Sequence, residues 1–305
     1  MRRLDFSGSF TLLVTPFGLD GAIDWPVYDR LVDYHRASGG QGLFAVCGTA
    51  EMQALTSDER LRLAQVAAAR SPGTAVVATG NLEPDLESQV EEVRRLSRSG
   101  VAGVVLVPPA RRPDDNGLYE WFARLASVSA VPTLLYEWPG RQPKGIPAAV
   151  YGRLVRQWGV VGIKDTTCTH AGLAAKLEAA PEGIVYQANN PLLVAAMEAG
   201  ARGTMTITSA VRPDLLGALW SAHQAGDTAR RAALAREIVF LDALLAVCHP
   251  GGAKWLLRRV GVLDDIGCRG GGLPDDAGRA ALEAWALDAP RWCGPSRPLG
   301  GGWGV

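Results

Sequence analysis

Short apolar runs rich in β-branched residues recur eight times along this chain, and longer amphipathic stretches separate most of them. The runs are SFTLLVT (9–15), GLFAV (42–46), TAVVAT (74–79), AGVVLV (102–107), PTLLY (132–136), VVGIK (160–164), GIVYQA (183–188) and GTMTIT (203–208). Each is nearly continuous in apolar residues, the pattern of parallel strands covered on both faces. Alternation of such strands with helices, eight times within about 225 residues, predicts an α/β protein of the (β/α)8 TIM-barrel class rather than a doubly wound sheet. The first strand leads into LLVTPFGLDGAID, which lacks the GxGxxG turn of a dinucleotide-binding unit.

The intervening segments carry helix signals. WPVYDRLVDYHRAS follows Asp24, an N-cap residue type, with Pro26 just inside; SDERLRLAQVAAAR starts at Ser57 with an acidic first turn; LESQVEEVRRLSRSG closes on Gly100; AGLAAKLEAA follows the sixth strand. Beyond residue 225 the pattern is helical only, in AGDTARRAALAREIVFLDALLAV, GGAKWLLRRVGV and DDAGRAALEAWALD. The expected organisation is a barrel over 1–225, a C-terminal helical extension over 226–290 packed beside it, and a mobile Gly/Pro-rich tail over 291–305.

Composition narrows the function. Formal net charge is zero, so no bulk field recruits nucleic acid or an anionic membrane. The N-terminal MRRLDFSGSF has no apolar core of a signal peptide, and no apolar run approaches the ~20 residues that span a bilayer; a cytoplasmic protein is expected. The five cysteines form no CxxC pair, and the four histidines, His35, His170, His223 and His249, are scattered without HxH or HExxH spacing. Neither a disulfide framework nor a metal centre is expected.

Against that background one lysine stands out. Only four of the 31 Lys and Arg residues are lysines, and Lys164 ends the sixth strand, in VVGIKDTTCTH (160–170). Chemistry in a TIM barrel sits at the C-terminal strand ends. Tyr136 ends the neighbouring fifth strand, and adjacent strands run ~4.8 Å apart. A lysine emerging from an apolar strand loses solvation, which lowers its pKa and leaves neutral amine able to attack a ketone. Tyr136 is placed to carry the protons of imine formation. The alternative is a snorkelling lysine paired with Asp165.

Five ordered motifs, LLVTPF (12–17), CGTAEMQALTSDER (47–60), VPPARRPDDNGLYEWF (107–122), YEWPGR (136–141) and GIKDTT (162–167), each fall at a strand end. In them the chain, over about residues 9 to 265, resembles the dihydrodipicolinate synthase and N-acetylneuraminate lyase family of Schiff-base aldolases and dehydratases. The resemblance implies that Lys164 forms the imine with pyruvate or another 2-oxo acid and that Tyr136 shuttles protons. It further implies that Thr49, beside Gly48, hydrogen-bonds that tyrosine and the substrate carboxylate. Arg141 matches an arginine that holds a second carboxylate, as bidentate guanidinium geometry suits. Met205 matches an apolar residue facing the imine. No cofactor or metal is implied, and a homo-oligomer, tetramer or dimer, is expected.

The departures from the family's synthase pattern are specific. That pattern has two consecutive threonines where this chain has Gly48 and Thr49, and a tyrosine, donated across a subunit interface, at the position of Ala110. The expected reaction is therefore aldol cleavage or dehydration of a 2-oxo-3-deoxy sugar acid or a related 2-oxo acid. The alternatives are 4-hydroxy-tetrahydrodipicolinate synthase activity and a non-catalytic keto-acid sensor. A phosphate-binding barrel enzyme is disfavoured, because QANNP and TITSAVRP offer no glycine-rich loop. Glu137, after Tyr136, reads as a partly buried carboxylate paired with a barrel arginine, with a further acid as the alternative. Arg111 and Arg112 read as a solvated loop, Asn189 and Asn190 as either sugar-reading or loop-capping residues, and Cys168 with His170 as residues that cap or pack at a helix start.

Overall fold

The computed structural model of the chain describes residues 5–143 and 145–288. The barrel begins with β1 (Gly8–Leu12), α1 (Trp25–Ala37), β2 (Gly42–Val46), α2 (Ser57–Arg70), β3 (Ala75–Thr79) and α3 (Leu86–Ser97). It continues through β4 (Gly103–Leu106), α4 (Asp115–Ser127), β5 (Thr133–Tyr136), α5 (Ala148–Trp158), β6 (Gly162–Asp165) and α6 (His170–Ala179), and ends with β7 (Ile184–Gln187), α7 (Leu193–Glu198), β8 (Gly203–Thr204) and α8 (Pro213–Gln224). All neighbouring strands are parallel, and β8 pairs with β1 to close the ring. Three helices follow, α9 (Thr228–Ala246), α10 (Gly251–Arg259) and α11 (Asp276–Asp288). The expected TIM barrel with helices after it is what the chain forms. The tail expected over 291–305 lies outside the described residues.

Local chemistry explains the boundaries. Asp24 accepts from the Val27 amide at the start of α1, and Thr169 caps α6 through Gly172. At α2 the cap is Thr56, whose hydroxyl takes the Glu59 amide while the Glu59 carboxylate takes the Thr56 amide, a reciprocal capping box. Close packing demands glycine at Gly42, where a Cβ would lie 2.3 Å from the Phe10 ring.

Every residue of the eight strands is buried, as continuous apolar runs between two layers require. The main core fills the barrel and the strand–helix layer, and a smaller cluster of Leu193, Met197, Leu215, Leu216, Leu219 and Ile238 joins α7, α8 and α9. β8 is shorter than the expected 203–208. Past Thr204 the chain turns into a 3-10 segment over Ile207–Ala210, and the Ser209 hydroxyl accepts the Leu12 amide of β1 at 3.0 Å. A side chain thus satisfies the donor that a longer strand would have paired.

Candidate active site

The β5–β6 register sets Tyr136 directly beside Lys164. Strand β6 runs one residue past the expected end, to Asp165, so the lysine is penultimate. The Lys164 ammonium lies 4.3 Å from the centre of the Tyr136 ring and 5.4 Å from that of Phe44, so it is walled by aromatic faces. Only 5% of Lys164 is exposed. Burial lowers its pKa from 10.5 to about 8, against an opposing influence of Cys47. Burial drives the Tyr136 hydroxyl the other way, above its ordinary range, with Cys47 adding to the effect.

These two side chains line a cavity of about 460 Å³ at the C-terminal mouth of the barrel. Gly48, Thr49, Glu51, Trp138, Pro139, Gly140, Thr166, Met205 and Ile207 share it. Gly48, Thr49, Tyr136, Lys164 and Met205 are therefore brought together in one pocket. Gly48 leaves space there: a Cβ on it would lie 3.4 Å from the Trp138 indole nitrogen and 3.5 Å from the Tyr136 hydroxyl. Arg141 is not among the cavity-lining residues. It is half-buried, its guanidinium is 5.4 Å from the Trp138 ring centre, and burial lowers its pKa.

Thr49 differs from expectation in its partner. Its hydroxyl lies 3.2 Å from Nε2 of His249, a residue 200 positions away, rather than on Tyr136. The loop after α9 supplies His249 and Pro250 to the cavity, and the segment after α10 supplies Gly270. The C-terminal helices thus do more than pack beside the barrel. Their anchor is Glu51, a non-glycine residue at φ +58°, whose carboxylate accepts from the buried Lys254 ammonium of α10 at 2.5 Å and from the Arg269 and Gly270 amides at 2.7 Å. Sequence reasoning missed His249 and Glu51. Glu51 lies in the CGTAE stretch at the end of β2, which was the signal available for it, and for His249 only its place ahead of a proline at a helix start could have drawn notice.

The acids that follow Tyr136 and Lys164 in the chain form a second buried node. Glu137 is paired, as expected, but it is fully buried rather than partly so, and its cation is Lys176 at 3.1 Å rather than an arginine. Lys176 projects from α6 and also holds Asp165 at 3.0 Å, so Asp165 is committed there and not to Lys164. A lysine suits the place because its compact ammonium serves both carboxylates from one direction, where a guanidinium fork would need more room. The Glu137 carboxylate also accepts the Ile146 amide at 2.8 Å and the Thr166 amide at 3.1 Å. Burial raises the Glu137 pKa in spite of Lys176; at Asp165 burial pushes upward too, but Lys176 and its hydrogen bonds outweigh it and the pKa falls.

The remaining candidates are not among the cavity-lining residues. Arg112 donates to the Gly145 carbonyl at 2.6 Å and pairs with Asp115, while Arg111 is exposed. Asn190 is buried and donates to Thr208 and to Asp242 of α9. Cys168, at φ +59°, bonds the Thr166 carbonyl and receives the Asn189 amide, and His170 is the exposed first residue of α6. No group of three or more potential metal ligands occurs among the described residues. Among the described residues no helix is long and apolar enough to cross a membrane.

The chain matches the Dihydrodipicolinate synthetase family over residues 5–276. It is similar to a protein named 4-hydroxy-tetrahydrodipicolinate synthase from Azoarcus sp. (strain BH72), 30% identical over 261 residues that cover 85% of this chain and 89% of the relative. A protein of the same name from Laribacter hongkongensis (strain HLHK9) is 31% identical over 286 residues, covering 91% and 97%. Among solved structures it is similar to a dihydrodipicolinate synthase from Bacillus anthracis, with a TM-score of 0.88 and 26% identity over 94% of this chain and 100% of the other. A prophage protein of E. coli K12, solved in complex with pyruvate, shares the fold with a TM-score of 0.86 at 21% identity, over 93% of this chain and 99% of that one.

Proposed function

The chain belongs to the dihydrodipicolinate synthetase family of lyases, and on that premise we propose that it forms a Schiff base between Lys164 and a 2-oxo acid. The observation that carries this reading is the buried lysine set beside Tyr136 in the lining of the cavity, where burial lowers its pKa to about 8. Roughly a tenth of such an amine is neutral at pH 7, against under about 0.1% of an ordinary lysine. The neutral amine attacks the ketone carbon to give a carbinolamine, and Tyr136 passes the proton that lets water leave. The iminium then accepts electrons from an adjacent C–H or C–C bond, which yields an enamine. Met205 and Ile207 supply an apolar wall, and Thr49 lines the same cavity.

Incubation with pyruvate and borohydride is the direct test. Mass spectrometry is expected to find reduced pyruvate on the Lys164 peptide alone, with the labelling rate climbing about tenfold from pH 6 to 7 and levelling above about pH 8. The sign follows from the depressed pKa: raising pH increases the neutral fraction until that pKa is passed. Label on Lys176 or Lys254, or a rate still climbing at pH 10, would overturn the assignment.

For the reaction that follows the imine, we propose aldol cleavage or dehydration, with a 2-oxo-3-deoxy sugar acid or a similar hydroxylated 2-oxo acid as the substrate. Gly48 and Ala110 stand where the synthase pattern has hydroxyls, and a lost proton relay costs on the order of 10²–10⁴ in rate. Arg141, next in the chain to the cavity-lining Gly140, belongs to this proposal as holder of a second carboxylate. A second reading, condensation of pyruvate with aspartate semialdehyde, has the names of the relatives in its favour. Comparing kcat/KM for the two substrate types separates them; efficient condensation, at or above about 10⁴ M⁻¹s⁻¹, would establish the second. A homo-oligomer, tetramer or dimer, and a cytoplasmic setting complete the proposal. The free thiols of Cys47, Cys168, Cys248 and Cys268 suit a reducing compartment.

A further inference from the structure

His249 takes no part in the chemistry above, yet it lines the same cavity as Lys164, Tyr136 and Thr49. Its Nε2 is 3.2 Å from the Thr49 hydroxyl. The residue is exposed at the mouth, while Thr49 is buried. A chain of two exchangeable groups therefore runs from the interior of the cavity to solvent. Tyr136 is a poor acceptor by comparison, because burial holds its hydroxyl in the protonated form.

Resting on the Schiff-base reading, we propose that His249, working through the Thr49 hydroxyl, is the terminal proton acceptor for enamine formation at the Lys164 imine. In that step the C3–H bond of the bound 2-oxo acid breaks. Its electron pair becomes the C2=C3 bond, and the C2=N pair withdraws onto the lysine nitrogen. The released proton goes to Thr49 Oγ1 as the Thr49 proton moves to Nε2, leaving a neutral enamine and an imidazolium. Reversal returns a proton from solvent to C3.

Charge placement supports this direction. The charged groups acting on His249 are Lys164 from β6 and Glu51 from the turn after β2, whose carboxylate is held by Lys254 of α10; Tyr136 from β5 lines the same cavity. Partial burial first, and the Lys164 charge second, keep His249 below its ordinary pKa, and Glu51 opposes both; water at the mouth moderates the burial effect. The histidine is thus neutral, with its ring nitrogen free to accept, while the nitrogen of Lys164 is positive. Enamine formation removes that positive charge in the same event that places one on His249, so the repulsion vanishes when the imidazolium forms. Glu51 remains as its counter-charge.

Pyruvate in D2O reads this step without knowledge of the second substrate, since each passage through the enamine exchanges a methyl proton visible by NMR. His249→Gln is expected to cut exchange by about 10²–10³-fold while borohydride trapping of pyruvate on Lys164 stays within about twofold. Thr49→Val should fall similarly, Thr49→Ser should recover most of the rate, and the His249→Gln/Thr49→Val pair should be no slower than either alone. Added imidazole should partly rescue His249→Ala, because the ring's place opens to solvent. Undiminished exchange in His249→Gln would overturn the proposal. So would parallel loss of exchange and trapping in His249→Gln and His249→Ala without imidazole rescue, which would make the histidine a structural support. Absence of trapping in the unaltered protein would instead remove the Schiff-base reading itself.

Discussion

Lys164→Met is expected to lose turnover by at least about 10⁴-fold, since no other group supplies the nucleophile, and yet to be the more stable protein at pH 7. The gain follows from burial. Holding the ammonium among Phe44 and Tyr136 lowers its pKa from 10.5 to about 8, which corresponds to a stability cost of about 3 kcal/mol for the charged form. With 5% of the residue exposed, solvent screening removes little of that cost. Methionine has a similar length and no charge, and Met205 already lines the same pocket. The sign over pH is fixed by the two pKa values. Between about 8 and 10.5 the unfolded chain holds a proton that the folded lysine has lost, so the unaltered protein gains stability as pH rises through that window. The advantage of Lys164→Met should accordingly shrink toward zero by about pH 10.5. Urea unfolding of both proteins at pH 7 and pH 10 measures it, and equal stability at pH 7 would show that the ammonium is solvated after all.

The second large effect is expected at Lys176, and it is one of stability. Its ammonium is the shared cation of Glu137 and Asp165, both fully buried. Removing it as Lys176→Met leaves two carboxylates facing each other without compensation, a loss of about 3–5 kcal/mol. Because Glu137 and Asp165 directly follow Tyr136 and Lys164 on β5 and β6, activity should fall as well, through displaced strand ends. In the variant both carboxyl pKa values rise above those of the unfolded chain. Stability is then lost as pH climbs from about 4 through the raised values, so the deficit should narrow in acid and be widest at neutral pH. Adding Glu137→Gln should recover part of it by removing one uncompensated charge. Denaturation midpoints of the single and double variants across pH 5–8 test this. A deficit independent of pH would point to lost packing rather than uncompensated charge.

Much of this molecule was legible in its residues taken in order. Eight apolar runs at near-regular spacing specify parallel strands buried on both faces, because period and length are local properties that survive any arrangement of the neighbours. Residue type at the strand ends then placed Lys164 and Tyr136 at the mouth, where barrel topology gathers chemistry. That Glu137 would be paired was also readable, since a strand-end carboxylate needs a cation there. Its actual partner was not: Lys176 reaches it from the next helix over, a matter of how α6 docks on the sheet. The same holds with more force for the far side of the cavity. His249 meets Thr49 across 200 residues, and Lys254 meets Glu51 across 203. No local signal encodes either meeting. Strand periodicity determines which face of an element is buried, but the contacts between elements distant in sequence depend on how α9, α10 and the segment carrying Gly270 fold back over the mouth. Only the tertiary structure decided that, because the energy of those buried ion pairs and hydrogen bonds exists only once both partners have lost their water.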